Sequence, residues 1–244
     1  MAQPTSDEIR EAKAYLRRRL AAEVSMEHFL NRVLHNAAVE LVSLAYRYNV
    51  PPTMFSFSYD PLLSLEAERI ISKLMQDIED FDFMMALSTD KSDRDTLIPY
   101  INREINGLTY KDRLWSYTSR FKLEMQDLIG AGLVLGYGLS KMKEEVVKSL
   151  KNPYVSTIAS EKPHRGQSSY HRLLVLTRHT IADTWMYADM EQAIRKGAIG
   201  FYSFRGSSYP CQLCDDMASR FHTFAEPYPP YHPHCVCYAV PVYR

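Results

Sequence analysis

All four cysteines of this 244-residue chain lie after residue 210, and that clustering constrains its fold more than any other feature. They stand as Cys211-Gln-Leu-Cys214 and Cys235-Val-Cys237, with His222, His232 and His234 between or beside them. Two intervening residues let the sulfurs of Cys211 and Cys214 turn to one point, the first half of a structural zinc site. One intervening residue puts Cys235 and Cys237 on the same face of an extended strand. A closed tetrahedral site of four thiolates, or of three with His232 or His234 in place of the fourth, would tie the last strand to the Cys211 loop. The chain opens Met-Ala-Gln-Pro-Thr-Ser-Asp-Glu, without a charged-then-apolar leader, so synthesis in the cytosol is expected. There, clustered reduced thiols favour a metal over disulfides. The expected ligands are Cys211, Cys214, Cys235 and Cys237 around one structural zinc, with His232 in reserve. Free packed cysteines, redox-dependent disulfides and a catalytic metal are the competing readings.

Enzymatic signatures fail on inspection. Pro210-Cys211-x-x-Cys214 copies half of the zinc deaminase signature, but none of the eight histidines is followed two residues later by glutamate. Gly130-Ala-Gly132-Leu-Val-Leu-Gly136-Tyr-Gly138 has the wrong spacing for a dinucleotide fingerprint and lacks a phosphate-loop lysine. It reads as close helix packing or a break between helices. A cysteine nucleophile beside His222 or His232 is a weaker reading than a ligand set, because the cysteines come in pairs. No catalytic residue is therefore assigned.

The 29 basic residues balance the 29 acidic ones, which argues against a general polyanion binder, so nucleic acid is an indirect partner at most. No apolar run is long enough to span a bilayer. Upstream of the cysteines the pattern is helical. Thr5 and Glu8 form a capping box ahead of Ile9, Ala12, Leu16 and Leu20, with Arg10, Lys13 and Arg17 to Arg19 elsewhere around the wheel. A second helix is expected over 25–48, ended by Val50-Pro51-Pro52. Asp60-Pro61 opens a third, to about Met85. A polar loop follows over 88–95, and Thr109 caps a long helical segment. A helix from Ser168 or Ser169 to about Lys196, capped by Gly197, leads into a strand over 199–204.

The C-terminal segment resembles the Mu F-type domain of phage minor head proteins, the head morphogenesis family. The resemblance rests on a helix carrying Thr177-Arg178-His179-Thr180, a following strand, the pair Cys211 and Cys214, and the ending Pro230-Tyr-His232-Pro233-His234-Cys235-Val-Cys237 with Pro241 four residues on. It covers about residues 168 to 242 well and 110 to 150 loosely, the latter through the glycine-punctuated helix before Ser140. The chain departs from the family's pattern after Thr180, where the usual glutamate is missing, at Ser207 to Pro210, where an aspartate is common, and at Val236, where arginine is frequent. No role is carried over for those positions.

The resemblance implies a structural protein of a tailed phage or prophage: portal-associated, present inside the head in few copies, and able to accompany the genome at ejection. Its partners would be the portal protein, the major capsid protein or both, with self-association expected at zero net charge. Some relatives carry a toxin or nuclease domain, and none is expected after Arg244. A toxin-like effector or nuclease on the same module, and a zinc-binding interaction module, are the alternatives. The expected fold is mostly α with a small α+β C-terminal module: a helical N-terminal region over 1–150, a linker over 151–167 and the Mu F-like module over 168–244. Broad apolar stripes in 1–150, and the extra Met75, Phe83, Met84 and Met85, make that region the expected partner-binding part. A bundle packed on itself explains the same residues.

Overall fold

The computed structural model describes residues 3–151 and 168–243, so the expected linker lies, apart from Lys151, outside the described residues. Among the described residues, seven helices and three short strands run in the order α1 (Ser6–Tyr48), α2 (Pro61–Ala86), α3 (Arg94–Ile101), α4 (Tyr110–Val134), α5 (Leu139–Lys151), α6 (Ser169–Arg195), β1 (Ala198–Phe204), α7 (Gln212–Met217), β2 (Phe221–His222) and β3 (Tyr238–Tyr243). The chain is thus mostly α with a small antiparallel sheet at its C-terminal end, strand order β2-β1-β3.

The start of α1 is the expected capping box: the Thr5 amide donates to Glu8 Oε2 at 2.7 Å, and the Glu8 amide donates back to Thr5 Oγ1 at 3.3 Å. The expected break before a second helix at Ser25 is absent. Ser6–Tyr48 is one helix of 43 residues. No glycine or proline interrupts it, and Ser25 Oγ donates to the Ala21 carbonyl at 2.9 Å, so the hydroxyl that suggests a cap is satisfied within the helix. A second correction falls at α3. Asp93 caps it by accepting from the Thr96 amide, and Leu97 and Ile101 are buried. Eight residues with an internal Pro99 show too little periodicity to read from the sequence.

The glycine run is both a packing site and a break. A Cβ on Gly132 would lie 2.3 Å from Met142 Cε of α5, and Gly136 takes φ 73° between α4 and α5.

The chain divides into two compact units that do not follow its order. One combines Met1–Glu27, Asp82–Arg103 and Thr177–Arg244; the other combines His28–Phe81 and Glu104–Leu176. Residues 1–27 and 82–103, which sequence order groups with the helical region, therefore share a unit with the cysteines. The helical unit buries Leu30, Leu34, Leu41, Leu63, Ile78, Phe121 and Ile129, each at 0 or 1% exposure. Burying each such side chain contributes roughly 1.5–3 kcal/mol. The other unit packs Leu16 of α1 against Tyr238 and Val240 of β3, with Ile9, Ala12, Leu20 and Phe204 around them. No helix among the described residues is long and apolar enough to cross a membrane.

Candidate metal centre

The loops that carry the cysteines are positioned by β1 and its neighbours. β1 pairs with β3 from Ala198↔Tyr243 to Phe204↔Tyr238, so Cys237 lies next to the end of β1. The chain leaves β1 through Gly206. A Cβ there would meet the Val236 carbonyl oxygen at 1.9 Å, so only glycine lets the backbone lie against the Cys235-Val236-Cys237 segment. Cys211 precedes the first residue of α7 with an extended backbone, and Cys214 follows in its first turn. On the other side, the Cys235 amide donates to the His232 carbonyl at 3.0 Å, and His234 takes a left-handed φ of 63°. This tight turn points Cys235 and His232 back toward α7.

The result is two groups of donor atoms that share Cys214: Cys211, Cys214 and His232, and Cys214, Cys235 and Cys237, each group within 4.8 Å. Cys214, Cys235 and Cys237 are buried; Cys211 and His232 are half-buried. The sulfurs of Cys214 and Cys235 are 3.8 Å apart. Zn–S bonds of about 2.3 Å in a tetrahedron give S···S edges of about 3.8 Å, so this pair already has the spacing of a shared tetrahedral metal. His232 Nε2 lies 3.1 Å from Cys214 Sγ and 3.3 Å from Cys211 Sγ. Its Nδ1 is 2.7 Å from the Pro233 carbonyl, which can only accept, so Nδ1 holds the hydrogen and Nε2 faces the thiols. These five side chains are positioned to bind a metal ion. All four cysteines are free of disulfides.

The electrostatics of the thiols are uneven. The Cys237 hydrogen bond pulls the Cys235 thiol down to about 5, while the reverse side of that bond pushes Cys237 up. Burial pushes Cys214 up to about 12. Cys211, at the start of α7, is lowered first by the Cys214 backbone amide. One thiolate therefore forms readily, and a metal would displace the protons of the others.

Two histidines of the sequence reading stand apart. His234 is exposed and belongs to neither donor group. His222 is fully buried, with Nδ1 2.9 Å from Glu226 Oε2 and Nε2 2.8 Å from the Met217 carbonyl, and it stacks on Phe201. It is a packed element of the sheet, not a base for a cysteine nucleophile. Arg178 of α6 reaches Glu23 and Glu27 of α1, each at 3.4 Å.

The sequence reading missed Arg19, placed there away from the apolar stripe of the first helix. Its side chain is fully buried, its Nη2 donates to the Cys235 carbonyl at 2.9 Å, and its Nε lies 3.1 Å from Glu23 Oε1. The available signal was an arginine one residue before Leu20 and three after Leu16, inside the apolar stripe, with glutamate four residues on. No protein-family model, curated protein or solved structure matches the chain.

Proposed function

We propose that this chain is a minor head protein of a tailed phage or prophage, a portal-associated structural component of the virion stabilised by one structural zinc. One observation carries the reading. Cys211-x-x-Cys214 and His232-Pro-His-Cys235-x-Cys237, which resemble the head morphogenesis family by their order after a helix and a strand, form two donor groups that share Cys214. Soft thiolates with one imidazole at tetrahedral spacing suit zinc in a closed structural site. Leu62, Leu65, Trp115 and Leu123 of the helical unit are exposed and available to a protein partner such as the portal or major capsid protein.

Three measurements test the reading. Elemental analysis of protein purified without chelator should find about one equivalent of zinc; less than about a tenth, with thiols intact, overturns the metal assignment. Co-expression of the full chain with the portal and major capsid proteins of its own genome should give a stable co-purifying complex, and retention by neither overturns the assembly role. The reading assigns no turnover, so nuclease, protease or NAD-consuming activity lost on a point change at Cys211 or Arg178 also overturns it.

A further inference from the structure

Arg19 lies on the first helix, nearly two hundred residues before the cysteines, yet its only hydrogen bond among the described residues is to the carbonyl of Cys235. The guanidinium is fully buried. Its one anionic neighbour is Glu23, also buried, at 3.1 Å. Arg178 reaches that same carboxylate at 3.4 Å, so two arginines share it. Neither Nε nor Nη1 of Arg19 has a hydrogen-bond partner among the described residues. A buried cation with five donors, one hydrogen bond and a shared counter-ion is costly, because its lost hydration is poorly replaced. Such an arrangement calls for a further anion nearby.

The metal reading supplies one, and the role of Arg19 rests on that reading. Zinc held by four thiolates carries two net negative charges; held by three thiolates and a neutral imidazole, it carries one. A centre of that charge in a buried site needs a nearby cation. We propose that Arg19 is the positioning and charge-compensating residue of the metal centre: its Nη2 hydrogen bond fixes the Cys235 backbone, its Nε lies against the Glu23 carboxylate, and its charge offsets that of the thiolates. Glu23 and Arg178 then hold the fork in place, so that α1 and α6 belong to the architecture of the metal site. Burial lowers the Arg19 guanidinium from its ordinary value, and the charges of Glu23, Cys235 and Cys237 oppose that shift.

The test uses the full-length protein and titrates Co2+ and Zn2+ against a chromophoric chelator in the wild type, R19K and R19M. Lysine keeps the charge and loses the fork; methionine loses both. Affinity should fall in the order wild type, R19K, R19M. The full loss should be about 10- to 100-fold, as for other groups that orient metal ligands, and the sulfur-to-cobalt charge-transfer band should shift with it. The metal-free thermal midpoint, read from Trp185 fluorescence, separates packing from metal: a packing role lowers the metal-free and metal-bound midpoints equally, whereas the proposal predicts a smaller rise on metal addition in the variants. R19K with wild-type affinity and band overturns the proposal, as does R19M binding no more weakly than R19K. If R19M does not fold, the comparison of R19K with the wild type decides. No charge-transfer band in the wild type overturns the metal reading, and the role of Arg19 with it.

Discussion

The two units solve the same burial problem with different materials. The helical unit is built from apolar stripes on long helices, with Phe29 stacked on Phe81 at 4.1 Å and Leu30, Leu41, Ile78 and Phe121 sealed from water. Its buried carboxylates are paired with lysines that reach solvent: Glu145 with the half-exposed Lys141, and Glu79 with the exposed Lys111. The cysteine unit buries a salt bridge with both partners inside, Arg19 and Glu23, along with Asp189, His222, Ser203 and Thr177. Asp189 is satisfied by Lys91 and by the Tyr228 hydroxyl at 2.6 Å. A sheet of three strands, one of two residues, offers little apolar area. A fixed polar network, and the metal that the cysteine side chains are positioned to bind, would do there what bulk does in the helical unit. Stability in the first unit should therefore answer to cavity volume, and in the second to ligands and charge.

The largest effect should come from the metal. Cys214 belongs to both donor groups, so C214S should remove zinc and destabilise the cysteine unit by about 5 kcal/mol or more, since metal binding is coupled to folding. Each unit carries one tryptophan: Trp185 is buried among the residues of the cysteine unit and Trp115 is exposed in the helical one. A W115F background thus isolates the Trp185 signal, and hydrogen exchange at Leu41 and Phe121 reads the other unit. Equal loss in both would break the comparison.

The reverse experiment targets the helical unit. Phe121 is fully buried there, and F121A should cost about 3–5 kcal/mol by transfer and cavity terms. Denaturant unfolding should record that loss while zinc content stays at the wild-type level. A drop in bound zinc would mean that the two units are not held by separate means.

The smallest effect tests the polar network. Glu226 is held below its ordinary value of 4.5, first by the hydrogen bond from His222 and then by the Thr223 amide. A carboxyl lowered in the folded state contributes stability in full above its unfolded value and loses it as pH falls through the folded one. E226Q should therefore lower the urea midpoint at neutral pH, and the difference from the wild type should shrink below pH 4.5. A difference that is constant with pH would show that Glu226 acts by packing alone.

Several parts of this architecture were legible from the residues. The Thr5–Glu8 capping box and the Thr109 cap depend on near neighbours, and both form as expected; the structure adds Asp112 as the second half of the Thr109 box. The apolar rows of α2 and α4 follow from periodicity, and the strand leading into Cys211 from its β-forming residues. The two cysteine pairs read as candidate ligands because the spacing within each limits where its sulfurs can point. The missed features each depend on something distant. Ser25 has the chemistry of a cap, but uninterrupted helix on both sides absorbs its hydroxyl. α3 is too short for periodicity, and Leu97 and Ile101 give it stability only through burial. Arg19 reads as one of a run of solvated basic residues.

By itself the sequence determined the helical character of the chain, the position of its glycine break and the two cysteine pairs, Cys211 with Cys214 and Cys235 with Cys237, as candidate ligands. These are consequences of local geometry: helical rise, strand alternation and the reach of a side chain to its neighbours a few residues away. The tertiary structure alone decided that residues 1–27 share a unit with the cysteines, that His232 and not His234 faces the thiols, and that Arg19 rather than Arg17 or Arg18 is enclosed. The reason is that burial of a charge is settled by what packs over it. For Arg19 that cover is the Cys235 backbone, 216 residues further along the chain.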